Sequence, residues 1–179
     1  MDLKIIDDRD MTPALDREIR DLLCTCFPKD VEVYSKTRAW NGYMPAWSVL
    51  LEDESRAVAH TGVMHKNIRV GDITIPVAGV FNVCVLPEYR GLGLSVRLMN
   101  AVEEEAAKRD RKYGFLFCKS WIEDVYRKSG WNRLEGRSIT RVLDDGREKG
   151  MRENIIAMYR RLGPDDFPPG PVHLLGNEW

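Results

Sequence analysis

The spacing of apolar and polar positions changes along this chain, and each change marks an element. Leu3, Ile5 and Ile6 open it as a short strand. From residue 15 the period lengthens. Leu15, Ile19, Leu22 and Leu23 fall at i, i+4, i+7 and i+8, the single stripe of an amphipathic helix. Thr12-Pro13 is its start signal, threonine as N-cap and proline at the first helical position, and Phe27-Pro28 stops it. Residues 28–46 follow neither period. They form a mixed loop rich in charge and aromatics, among them Tyr34, Trp40 and Tyr43, with Trp47 just beyond.

Strand patterns come next. Residues 47–51 are one, Asp53-Glu54-Ser55 turns the chain, and residues 56–69 are a second, with Val58, Thr61 and Val63 among its β-formers. Val70-Gly71-Asp72 turns again. Residues 73–86 are long, apolar and β-branched, broken by Pro87-Glu88-Tyr89-Arg90-Gly91. Leu94, Leu98, Ala101, Val102 and Ala106 then mark a helix, solvated through Glu103-Glu104-Glu105 and Lys108-Arg109. A strand over 113–118, a short helix over 122–128 stopped by Ser129-Gly130, and a strand over 133–143 complete the pattern. Helices interleaved with strands predict a mixed α/β (α+β) sheet protein. The stretch from Gly163 is rich in proline and glycine. Pro168-Pro169-Gly170-Pro171 has the composition of an SH3-type ligand, but Val172, Leu174, Leu175 and Trp179 predict a strand or lid packed back on the sheet.

Length and charge narrow the class. The 179 residues fit one domain, 1–179, with 144–179 as an extension packed on it. The 27 basic and 28 acidic residues leave a net charge of −1, so no cationic excess supports nucleic-acid binding. No run of eighteen apolar residues predicts a membrane span. Cys24, Cys26, Cys84 and Cys118 do not form CxxC pairs and are expected as reduced, packed thiols of a cytoplasmic protein. The three histidines lack zinc-site spacing, so no metal is expected, and His60 and His65, on a strand, are expected to be structural.

The chemistry concentrates after the long strand. Arg90-Gly91-Leu92-Gly93-Leu94-Ser95 opens directly into a helix. A helix start carries unpartnered N–H groups and the positive end of the dipole, two glycines allow close backbone approach, and Arg90 adds a forked cation. Together they make a phosphate cradle. It is not a P-loop, since GxxxxGK[ST] is absent, nor a Rossmann fingerprint, since the third glycine position holds Val96.

Arg-x-x-Gly-x-Ser resembles the pyrophosphate loop of the GCN5-related N-acetyltransferase superfamily, Gln/Arg-x-x-Gly-x-Gly/Ala, with Ser95 departing at the last position. Val83-Cys84-Val85-Leu86-Pro87-Glu88-Tyr89-Arg90-Gly91-Leu92-Gly93 is similar to the superfamily's strand and loop, and Tyr126-Arg127-Lys128-Ser129-Gly130-Trp131 to its Tyr-x-x-x-Gly-Phe/Trp helix. The resemblance covers about residues 3–143. It implies a mixed, mostly antiparallel sheet flanked by helices, and acetyl-CoA as cofactor, held by Val83, Cys84 and Val85 of a bulged strand and by Arg90, Gly91, Leu92, Gly93, Leu94 and Ser95. Two branches are nearest. The aminoglycoside 2'-N-acetyltransferases are similar through residues 57–63, Phe27-x-x-Asp30 and the tryptophan at 179. The rhizobial nodulation N-acyltransferases are similar through Gly91-Leu92-Gly93-Leu94-Ser95 and the Pro-x-Gly-Pro pattern of the tail. Where the aminoglycoside enzymes have an acidic residue and glycine at the bulge, this chain has Phe81-Asn82.

The implied reaction moves an acetyl group to a primary amine of a small molecule, an amino sugar among the options. A longer-chain N-acyltransferase and a non-catalytic coenzyme A-binding domain are the alternatives. The resemblance assigns polarisation of the thioester carbonyl to the Val83 N–H and protonation of the leaving thiolate to Tyr126. A phenol with pKa about 10 lies close to an alkyl thiol, which makes that proton transfer nearly balanced. Asp30, Phe81, Asn82 and Trp179 are expected to meet the acceptor, with Asp30, Glu32 and a Trp179 carboxylate as candidate bases. Tyr34, Trp40, Tyr43 and Trp47 either wall the acceptor pocket or pack on the first helix. The architecture often dimerises through its C-terminal strands, so a homodimer is an expectation too.

Overall fold

The computed structural model describes residues 1–179. In chain order it contains β1 (Asp2–Asp7), α1 (Pro13–Cys26), α2 (Val31–Tyr34), β2 (Trp47–Asp53), β3 (Arg56–Val70), β4 (Ile73–Val85), α3 (Leu94–Lys108), β5 (Tyr113–Lys119), α4 (Glu123–Arg127), β6 (Asn132–Arg133), β7 (Ile139–Val142), β8 (Glu148–Gly150), β9 (Ile155–Arg161) and β10 (Val172–His173). These form two compact units, one of Met1–Met64 and Val80–Val102, the other of His65–Gly79 and Glu103–Trp179. No helix is long and apolar enough to cross a membrane.

In the first unit β1 runs antiparallel to β2, Asp2 opposite Glu52 through Asp7 opposite Trp47, and β2 runs antiparallel to β3 with an irregularity at Leu51/Glu52. β2 is buried from Trp47 to Glu52, as expected of a strand covered on both faces. α1 begins as its sequence predicts, Thr12 Oγ1 accepting the Leu15 N–H at 3.3 Å. It buries Ile19, Leu22 and Leu23, and its Glu18 carboxylate accepts the Ala57 N–H at 2.6 Å, pinning the helix to the start of β3.

In the second unit β5 pairs antiparallel with β9 along all seven residues, Tyr113 opposite Arg161 through Lys119 opposite Ile155. β6 pairs with the far edge of β9, β7 with β8, and β10 lies antiparallel to the end of β3 and parallel to β7. The sheet is therefore mixed, as the family resemblance implied. The tail packs back through Phe167, whose ring lies 5.2 Å from Tyr113 and 4.7 Å from Tyr159, and through the buried Val172 and Leu174. Gly114 of β5 admits Trp131: a Cβ there would stand 2.6 Å from the indole Cη2, and the buried indole donates its Nε1–H to Glu103 at 3.1 Å.

Besides the short α2 and β8, which the pattern did not mark, the structure departs from it in two places. The strand expected over 133–143 is broken into β6 and β7, with Gly136 left-handed (φ 66°) between them. Residues 155–161, with no place among the sequence's expected strands, form a full partner of β5.

Candidate functional site

Unit 1 gathers most of the expected site residues along one path: β4, then the 90–93 loop, then α3. Phe81 and Cys84 are buried, while Val83 and Val85 are half-buried. Between them Asn82 adopts a left-handed conformation, φ 54°. A left-handed residue inside a strand breaks the pleat, which is the geometry of a bulge.

Asn82 is held on three sides. Its Oδ1 accepts the Tyr34 hydroxyl at 2.8 Å, and its Nδ2 donates to the Arg38 carbonyl at 2.9 Å. Its main-chain oxygen lies 3.3 Å from His60 Nδ1. A carbonyl can only accept, so Nδ1 carries the imidazole proton, and Nε2 accepts from Ser48 Oγ at 3.1 Å. His60 is fully buried, and that burial holds it neutral, with a pKa lowered to about 3.

The partners of Asn82 are themselves fixed. Tyr34 is seated between Phe27 and Trp40, ring centroids 5.6 and 5.8 Å away, and burial pushes its phenol pKa up. The Arg38 guanidinium, 2% exposed, donates to Asp16 at 2.7 Å and to Asp8 at 2.6 Å. Burial pushes the Asp16 carboxyl up, but its bonds to Arg38 and Arg20 outweigh that and hold it below the usual carboxylate range. Residues 28–46 thus fold as short α2 and a latch of Tyr34 and Arg38 reaching β4. Sequence alone did not single out Arg38, because its carboxylates lie 22 and 30 positions away and no local pattern joins them. Asp30 starts α2, its carbonyl accepting the Val33 and Tyr34 N–H groups at 3.0 Å each; its side chain makes no capping bond.

Past β4 the chain makes a tight loop. Gly91 and Gly93 are left-handed, φ 81° and 75°, and a Cβ at either would meet nothing within 4 Å. The first ladder bond of α3 runs from Arg97 N–H to the Gly93 carbonyl at 3.2 Å, so the N–H groups of Leu94, Ser95 and Val96 lack acceptors within the helix. Arg90 is exposed, with Nε anchored on the Val85 carbonyl at 3.2 Å. Beside it, hydrogen bonding to Cys84 lowers the Cys26 thiol pKa more than burial raises it, and the Arg90 charge lowers it further. The loop has open space, left-handed glycines, helix-start donors and a cation. That set can hold a diphosphate.

Tyr126 and Trp179 belong to the second unit. Tyr126 is buried on α4, and its carbonyl accepts the Ser129 and Trp131 N–H groups at 2.9 and 3.2 Å as Gly130 turns left-handed, φ 76°. The Trp179 indole is buried against Phe115 and Phe117, centroids 5.9 and 5.0 Å away. An open groove of about 610 Å³ in this unit, bordered by Arg133, Arg137, Met151 and Ile156, is lined by none of the expected site residues.

Comparison with known proteins shows the family. A family model described as "Acetyltransferase (GNAT) domain" matches residues 9–134, and members of that family use acetyl-CoA. Nodulation protein A of Mesorhizobium sp. (strain 7653R) is 24% identical over 161 residues, 80% of this chain and 77% of that protein. Nodulation protein A of Sinorhizobium terangae is 26% identical over 120 residues, 64% of this chain and 60% of that one. Among solved structures, the GNAT family N-acetyltransferase YhbS of Escherichia coli, in complex with CoA, superposes with a TM-score of 0.65. It is 15% identical, over 97% of this chain and 88% of that one, a likeness of fold.

Proposed function

Because this chain belongs to the GNAT acetyltransferases, we propose that it is an acyl-CoA-dependent N-acyltransferase that acetylates a primary amine of a small molecule, amino sugars included. The observation that carries this is the loop before α3, with left-handed Gly91 and Gly93, open space above them and Arg90 alongside. Arg90 and the amides of residues 91–95 hold the coenzyme's diphosphate, and the backbone of Val83, Cys84 and Val85 holds its pantetheine arm. Bound there, the coenzyme supplies an acyl group as a thioester.

The chain's own groups do the rest. The Val83 N–H donates to the thioester carbonyl oxygen as charge gathers on it, a stabilisation worth about 10²–10³ in rate when one such donor is removed. The Tyr126 hydroxyl gives its proton to the departing thiolate sulfur. The acceptor must arrive as a neutral amine, since an ammonium has no lone pair, and Asp30 and Glu32 are the acidic groups near α2 that can take its proton. The side chains of Asp30 and Phe81 are proposed to face the acceptor.

The resemblance to the rhizobial nodulation N-acyltransferases, together with the likeness to two nodulation proteins A, supports a second reading, a donor with a longer acyl chain. Titration calorimetry with coenzyme A, followed by a panel of amines with acetyl-CoA and with a long-chain acyl-CoA, separates these. Heat without turnover on either donor would leave a coenzyme A-binding domain, and absence of heat would remove the proposal.

A further inference from the structure

The trans peptide joining Asn82 to Val83 has a fixed internal geometry: its C=O and N–H point in opposite directions. The Asn82 carbonyl points to the His60 ring, 3.3 Å away. The Val83 N–H therefore points away from that ring. What sets this direction is the left-handed backbone of Asn82, a conformation asparagine tolerates better than other non-glycine residues but holds steadily only where its surroundings fix it. Here they do. Both ends of the Asn82 amide are engaged, by the Tyr34 hydroxyl and the Arg38 carbonyl, with the residue 8% exposed.

We propose that Tyr34, Asn82 and Arg38 form a clamp that aims the Val83 N–H, which makes Asn82 a positioning residue for the acyl carbonyl rather than a ligand of the acceptor. This rests on the N-acyltransferase function proposed above. The clamp is anchored outside β4. Arg38 is held by Asp8 and by Asp16 of α1, and Tyr34 is packed between Phe27 and Trp40 and stacked on the latter. The amide group is specific to the task. Aspartate keeps the acceptor for Tyr34 but sets an oxygen against the Arg38 carbonyl. Glycine keeps the backbone freedom and loses both side-chain bonds. The segment of residues 28–46 acquires a role by this route, since it delivers both the hydroxyl and the carbonyl.

The test uses protein labelled with ¹⁵N-valine and ¹⁵N-glycine, with coenzyme A and acetyl-CoA as probes. In the wild type both probes shift the Gly91 and Gly93 amide resonances, and acetyl-CoA shifts Val83 further than coenzyme A does. In Asn82→Gly the glycine shifts and the coenzyme A affinity stay within about threefold, the extra Val83 shift disappears, and kcat with the best amine of the panel falls about 100-fold at similar KM. Tyr34→Phe, which removes one hydroxyl from a stacked ring, falls about tenfold in the same way and serves if the glycine variant does not fold. An undiminished Val83 response together with kcat within threefold overturns the clamp. Silent Gly91 and Gly93 resonances in the wild type overturn instead the coenzyme A assignment beneath it.

Discussion

Replacing Gly93 by alanine separates what the loop costs the fold from what it gives a ligand. At φ 75° the new side chain sits in left-handed backbone, a strain of about 1–2 kcal/mol. No clash adds to it, because a Cβ there meets nothing within 4 Å. For a chain of this size 1 kcal/mol moves Tm by about 2–4 °C, so the ligand-free variant melts about 2–8 °C lower. The effect on the ligand comes from a different source. The methyl enters open space at the start of α3, where it would hold an anion away from the Leu94, Ser95 and Val96 amides. Losing one hydrogen bond to a charged group costs about 1.5–3 kcal/mol, a weakening of about 10- to 150-fold in coenzyme A affinity. Gly146→Ala is the matched control. Its φ is 81° and its surroundings are equally open, but it sits at the β7–β8 turn. It should show the same fall in Tm with unaltered affinity. Thermal melts and titration calorimetry on both variants decide the matter: if Gly93→Ala melts lower but binds coenzyme A within twofold of wild type, no diphosphate rests on this loop.

Three further outcomes follow from the same structure. Tyr126→Phe keeps the buried ring and loses the hydroxyl proposed as proton donor, so kcat should fall by about 10²-fold while coenzyme A affinity holds; equal turnover would take Tyr126 out of the reaction. His60, with a pKa of about 3 folded against an ordinary 6.5, stays neutral in the native state while the unfolded chain takes up a proton. Its contribution is complete above about pH 6.5 and is lost as pH falls towards 3, by about 1.4 kcal/mol per unit. Urea melts at pH 7.5, 6 and 5 should show this slope, reduced by one proton in His60→Gln; equal slopes would contradict it. Gly114→Ala drives a Cβ to within 2.6 Å of the Trp131 ring and should cost about 1–3 kcal/mol of stability, read by chemical denaturation. Wild-type stability in that variant would mean the indole can move aside.

The sequence showed the parts of this fold whose causes are local. Thr12-Pro13 starts α1, the Leu94–Ala106 stripe makes α3, and Gly91 and Gly93 mark the loop, since each signal lies within a few residues of its effect. The bulge was implied only by the family resemblance, and nothing local to Asn82 marks it. Asn82 is left-handed because Tyr34, Arg38 and His60 reach it from 48, 44 and 22 positions away, and no window of the chain contains that set. β9 was legible in principle: Ile155-Ile156-Ala157-Met158-Tyr159 is an apolar β-rich run. It was obscured by the charged residues before it and the proline-rich stretch after it. Trp179 was expected near an acceptor because of a family resemblance. The structure accounts for its indole by packing on Phe115 and Phe117.

The seating of Trp131 over Gly114 reaches beyond one molecule. A missing side chain on β5 and an oversized one after α4 occupy the same volume, so neither position can drift alone. In diverged copies of this domain, residues 114 and 131 ought to change together, with a smaller ring accompanying any alanine or serine on the strand. Grafting the loop that bears Trp131 into a scaffold without that glycine would carry the incompatibility along with it.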